Sequence, residues 1–137
     1  MKTSLLLLSA ATSLLLSACG NNTPAAPTVP PTEVAAVKTP PPAYPMELAC
    51  MGVGGTATLR VVVGVDGKPS EITQVTSSGN AQLDELARTA VQGWQFNAAS
   101  RNGQKVPATL QVPVSFNPPE PRPDACFAIE ERMRRGG

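Results

Sequence analysis

Apolar and polar residues alternate from Gly55 to Val65. Ala57, Leu59, Val61, Val63 and Val65 share one parity; Thr56, Thr58, Arg60, Val62 and Gly64 share the other. Period two predicts a β-strand with one face buried and the other mostly solvated. Asp66-Gly67 follows, a hairpin signal because both residue types accept positive φ in a tight turn. A return strand is expected from about Ser70 to Thr76; it carries Ile72 and Val75 and is less regular. The period then changes. Leu83, Leu86, Ala87, Ala90, Val91 and Trp94 draw one stripe at helical spacing, and Ser78 or Asn80 stands where an N-cap is needed. Trp94 and Phe96 are expected to close over the sheet as core residues. Beyond an Arg101-Asn102-Gly103 turn, alternation resumes through Ala108, Leu110, Val112, Val114 and Phe116, a last strand.

This order predicts an α+β fold. A strand–helix–strand crossover is right-handed, and the hairpin pairs the first two strands. The simplest solution is a three-stranded antiparallel or mixed sheet, order 2-1-3, with the helix packed on one face. Proline parity marks the boundary of that sheet. Pro107 and Pro113 alternate with the core-facing residues, so on an edge strand their missing N–H would point outward, where no ladder bond is lost. The last strand is therefore expected at an edge, with Thr109, Gln111 and Ser115 supplying the outward donors.

The front of the chain has another character. Lys2 precedes an apolar run from Leu5 to Ala18 that ends Leu16-Ser17-Ala18-Cys19. A positive residue, a leucine-rich core and small residues before a cut describe a secretory signal peptide, residues 1–18. The run is shorter than the roughly 20 residues a membrane-spanning helix needs. Its last four residues resemble the lipobox of bacterial lipoproteins, which implies acylation of Cys19 and stable attachment through several acyl chains. Gly20, rather than Asp, follows that cysteine; by the sorting rule of enteric lipoproteins this favours the outer membrane over the inner. Residues 19–43 then form a Pro-rich tether without apolar periodicity, expected to stay extended and to span about 75 Å at most. The folded domain is expected at residues 44–117, followed by a tail, residues 118–137.

Charge and reactive residues narrow the function. Lys and Arg total 11, and Asp and Glu total 10, so no basic field marks a nucleic-acid partner. Histidine is absent, which removes the commonest general base and the commonest metal ligand. Ser77 and Ser78 have no base to activate them, and no carboxylate pair has catalytic spacing. Gly52-x-Gly54-Gly55 precedes a strand and lacks the lysine of a phosphate loop. No enzyme, cofactor, metal or small-molecule substrate is expected. With Cys19 lipidated, Cys50 and Cys126 remain, and in an exported protein such a pair favours a disulfide. Cys50 precedes the first strand and Cys126 follows an antiparallel last strand, so the two ends meet on one side. The alternatives are two free thiols or a redox pair, without a CxxC spacing or a base. Cys126, Phe127, Ile129, Glu130 and Met133 lie at near-helical spacing, predicting a short tail helix between Asp124 and Arg135. Arg132, Arg134 and Arg135 are read as a solvated terminus.

Tyr44-Pro45, Gly54-Gly55, Asp66-Gly67, Ser77-Ser78-Gly79, Leu83-Asp84, Trp94-x-Phe96 and the ending Val112-Pro113-Val114-Ser115-Phe116 together resemble the C-terminal domain of the TonB family. The resemblance covers the whole predicted domain. It implies the same sheet order, and docking of a receptor's short N-terminal segment, the TonB box, as an added strand beside the last strand, at Thr109, Gln111 and Ser115. The implied partners are outer-membrane TonB-dependent receptors for iron chelates or similar nutrients. TonB itself has an uncleaved N-terminal helix that contacts the proton-driven ExbB and ExbD proteins. This chain is expected to have none, so the resemblance implies binding without direct energy harvesting. The alternative from another class is a structural envelope lipoprotein, a TolA-like scaffold unrelated to nutrient uptake.

Overall fold

The computed structural model describes residue 20 and residues 28–136. The expected signal peptide and the lipidation site Cys19 lie outside the described residues. Ten elements follow in order: β1 (Ala35–Lys38), α1 (Met46–Cys50), β2 (Gly55–Val63), β3 (Pro69–Thr76), α2 (Ala81–Gln92), β4 (Gln95–Asn97), β5 (Ala99–Arg101), β6 (Gln104–Val106), β7 (Ala108–Phe116) and α3 (Ala125–Gly136). The main sheet has the order β3-β2-β7, with β2 antiparallel to both neighbours. That is the order expected from the hairpin and the crossover.

The alternation of β2 sends Ala57, Leu59, Val61 and Val63 to one face, where all four are fully buried. Leu83, Ala87 and Val91 of α2 pack onto that face with Val112, Val114 and Phe116 of β7. Burying these side chains is the main source of stability, at roughly 1.5–3 kcal/mol for each large aliphatic or aromatic one. Asn80 is the N-cap of α2; its side-chain oxygen accepts from the Leu83 N–H at 3.1 Å. Trp94 and Phe96 close one end of the core as expected, Phe96 buried and Trp94 half-buried.

Three expectations change. Val65 is exposed, because β2 ends at Val63. The hairpin turn is also built differently. Only Gly67 has positive φ, at 75°; Asp66 does not. The Gly67 N–H donates to Gly64 O, and the Gly64 N–H donates to Lys68 O, so the loop is a turn followed by a left-handed glycine. Gly67 is required twice over, since a Cβ there would lie 2.2 Å from Phe96 O. Third, the tether is not free up to residue 43. β1 pairs antiparallel with β4, and Thr32 pairs with Ser100.

The ends of the domain are fastened to each other. Cys50 and Cys126 form a disulfide that joins α1 to α3, with Cα atoms 5.2 Å apart. Cys126 is fully buried, whereas Phe127 of the same helix is exposed beneath the Arg122 guanidinium. The tail helix is thus held at its start and solvated along much of its outer face.

Candidate functional site: an open sheet edge

β7 is one edge of the main sheet, and its nine residues pair with β2 without interruption, from Ala108–Val63 to Phe116–Gly55. The other edge, β3, begins with Pro69 and shifts register twice against β2, between Thr58 and Leu59 and between Val62 and Val63. Bulged, twisted edges resist further pairing, while a straight one presents a regular row of backbone groups. Of the two, β7 is the regular edge.

The direction of its free groups follows from one residue. In an antiparallel ladder, opposed residues alternate between pairs that exchange hydrogen bonds and pairs that do not. Pro113 faces Thr58 and has no N–H to exchange, so that pair is of the second kind. Thr109, Gln111 and Ser115 share its parity and face Val62, Arg60 and Thr56. Their N–H groups therefore point away from the sheet, and so do their carbonyls and that of Pro113. The structure thus brings the three expected donors onto one free edge. All four side chains of this parity are exposed, and the Ser115 hydroxyl is 2.9 Å from that of Thr56. No charged side chain sits on the edge itself. Arg60, opposite Gln111 on β2, is exposed.

The core behind β7 keeps it rigid. Val112, Val114 and Phe116 are buried on its inner face. The Tyr44 ring meets Phe116 edge-on at 5.4 Å, and its hydroxyl donates to Val53 O at 2.7 Å. Burial raises the Tyr44 pKa, so the hydroxyl stays a donor. Gly55, at φ 145°, passes so close to Ser78 that a Cβ would lie 2.2 Å from its carbonyl oxygen, which accounts for the Gly54-Gly55 entry to β2.

A buried acid joins the strand ahead of α2 to the helix. Asp84 accepts from Ser77 Oγ (2.6 Å), Ser78 Oγ (2.7 Å), the Ser78 N–H (2.7 Å) and Gln74 Nε2 (3.1 Å). Burial pushes the carboxyl up, but the bonds from Ser77, Ser78 and Gln74 outweigh it and hold the pKa down at about 2. The Ser77-Ser78-Gly79 and Leu83-Asp84 motifs are therefore one structural clamp. Sequence reasoning noted both motifs without joining them; the signal was a carboxylate one turn into a helix whose entry is rich in hydroxyls. Among the described residues, no group of histidine, cysteine or acidic side chains is placed to hold a metal, and no helix is long and apolar enough to cross a membrane.

Residues 40–118 match the family described as Gram-negative bacterial TonB protein C-terminal. The chain belongs to the TonB C-terminal family. It is 40% identical over 76 residues to Protein TonB of Xanthomonas campestris pv. campestris (strain B100), covering 56% of this chain and 34% of that protein. It is also 40% identical over 77 residues to Protein tonB2 of Pseudomonas aeruginosa, covering 56% of this chain and 28% of the relative. The chain thus spans about a third of the length of the curated relatives it matches. The solution NMR structure of the Pseudomonas aeruginosa TonB CTD aligns with a TM-score of 0.55 at 22% identity, over 67% of this chain and 92% of that one. This likeness shows the fold. The TonB domain here is thus the antiparallel sheet with α2 on its face, and the edge described above is the outer edge of that domain's last strand.

Proposed function

We propose that this TonB domain binds extended segments of outer-membrane TonB-dependent receptors by adding them as a strand beside β7. The observation that carries this is the uninterrupted edge itself, with the N–H groups of Thr109, Gln111 and Ser115 directed outward. Main-chain bonds supply affinity in such docking, and neighbouring side chains select the sequence. Pro113 keeps its carbonyl as an acceptor but interrupts the donors, so the bound segment is expected to pair most tightly around Gln111. The membership of the family and the relatives named TonB support transport of nutrients such as iron chelates as the setting.

In this proposal Cys19 carries the lipid that holds the protein at the periplasmic face of the envelope, in the outer membrane. The domain holds or modulates a receptor beside it and does not itself harvest energy. Gln111→Pro is the decisive variant. It deletes an outward donor and no bond to β2, so the domain is expected to stay folded while its affinity for TonB-box peptides falls about tenfold, as for one lost backbone hydrogen bond. Unchanged affinity in a folded Gln111→Pro domain would count against docking on β7. Cross-linking from positions 109–115 in intact cells tests the partner: capture of receptors supports the proposal. Capture of scaffold proteins alone moves the function to envelope architecture.

A further inference from the structure

Residues 32–40 lie along the domain in a ladder of their own. Ala35 faces Asn97, Ala36 faces Phe96 and Lys38 faces Gln95, with a bulge between Ala36 and Lys38. Thr32 and Ser100 exchange backbone bonds of 3.1 and 2.9 Å, and their hydroxyls meet at 2.7 Å. Arg101 donates to Thr32 O and to Glu33, both at 3.0 Å, and Trp94 Nε1–H donates to Pro40 O at 3.0 Å.

These contacts are numerous and weak. β1 is exposed at all four positions, and only Val34 packs partly against the core. The Arg101 and Glu33 side chains are 48% and 79% exposed, a setting in which ion pairs add little. Hydrogen bonds at such a surface are readily exchanged for bonds to water. From Tyr44 onward the fastening is of a different order: a ring against Phe116, a bond to Val53 O, then α1 and the disulfide at Cys50. Attachment passes from solvated to buried between Pro40 and Tyr44.

We infer that residues 32–40 are a releasable strap that opens while the domain stays folded, giving the domain two reaches from whatever holds the chain upstream. With the strap docked, the chain leaves the domain at Thr32. With it released, the chain leaves at Tyr44, and residues 32–43 add up to about 37 Å of reach as polyproline II. Tension from the N-terminal side reaches the strap first and is stopped at Tyr44 and the disulfide. Opening also bares the backbone of β4. Strap release does not depend on receptor docking at β7, and either can fail alone.

Ala35→Pro isolates the strap. The Phe96 N–H donates to Gly67 O, away from β1, so Gln95 and Asn97 turn their backbone groups toward it and Ala35 is hydrogen-bonded opposite Asn97. Proline there removes a ladder donor at an exposed position outside the core. Hydrogen exchange on the full chain is the test. The bonded amides of the strap, Thr32, Ala35 and Lys38, are expected to be protected, yet to exchange about 100-fold or more faster than those of 59–63, by local opening. Ala35→Pro should abolish that protection and leave the 59–63 amides unchanged. Small-angle scattering of the two proteins should show a longer maximum dimension in the variant. Strap amides that exchange at the rate of β2, strap amides with no protection, an Ala35→Pro chain that unfolds, or equal maximum dimensions would each overturn the inference.

Discussion

Replacing Asp84 with asparagine tests the account of the clamp between β3 and α2. The carboxylate is 8% exposed and accepts four hydrogen bonds, and its pKa stands at about 2 against an ordinary 3.8. A group whose pKa is depressed by folding stabilises the native state above its unfolded pKa. That contribution is lost as pH falls through the folded value. Asp84 should therefore contribute fully above about pH 4, progressively less below it, and nothing much below pH 2. The size follows from the shift, at about 1.4 kcal/mol for each pKa unit, which makes the contribution about 2 kcal/mol. Asp84→Asn keeps the shape and removes the charge, so it should cost about 2 kcal/mol at pH 7. In a domain of this size that lowers the unfolding temperature by roughly 10 °C. Urea denaturation of both proteins at pH 7, 4, 3 and 2 is the assay. The gap between the two free energies should close as pH falls, because wild type loses what the variant already lacks. Two curves that run parallel from pH 7 to pH 2 would refute the reasoning, since the ionised carboxylate would then contribute nothing specific.

Other perturbations address the remaining supports. Replacing Cys50 and Cys126 with serine opens a cross-link between residues 76 apart; chain entropy sets the loss at about 4 kcal/mol, and an unchanged urea midpoint would contradict it. Gly67→Ala should cost about 1–3 kcal/mol in thermal unfolding, through positive φ and the approach to Phe96 O; a neutral result would mean the turn rearranges freely. Leu59→Ala, at the fully buried centre of β2, should cost about 3 to 5 kcal/mol by urea denaturation. The same change at half-buried Leu110 should cost visibly less, and equal losses would argue against the burial pattern described for β7.

The features legible in the sequence are those written in local periodicity. Alternation locates β2 and β7, the 83–94 stripe locates α2, and the parity of Pro107 and Pro113 locates the edge. Each depends on residues a few positions apart. Val65 is not where the pattern puts it, because continuing an apolar alternation does not reveal where a strand stops pairing. The strap is invisible for a related reason. Ala-Ala-Val-Lys carries no alternation, since none of its residues is buried, and its partner lies some sixty residues further on. A backbone ladder between two exposed segments leaves no mark on composition.

Fold class, the order of the main sheet, the buried stripe and the identity of the smooth edge all follow from residue type, because hydrophobic burial and the missing N–H of proline act through it. Which polar groups meet is a matter of three-dimensional approach. The Cys50–Cys126 bridge is favoured already by cysteine count and strand order, whereas only folding brings Ser77, Ser78 and Gln74 to one carboxylate and lays residues 32–40 against β4 and its neighbours. Those contacts depend on how distant backbones come together in space, which period and composition do not encode.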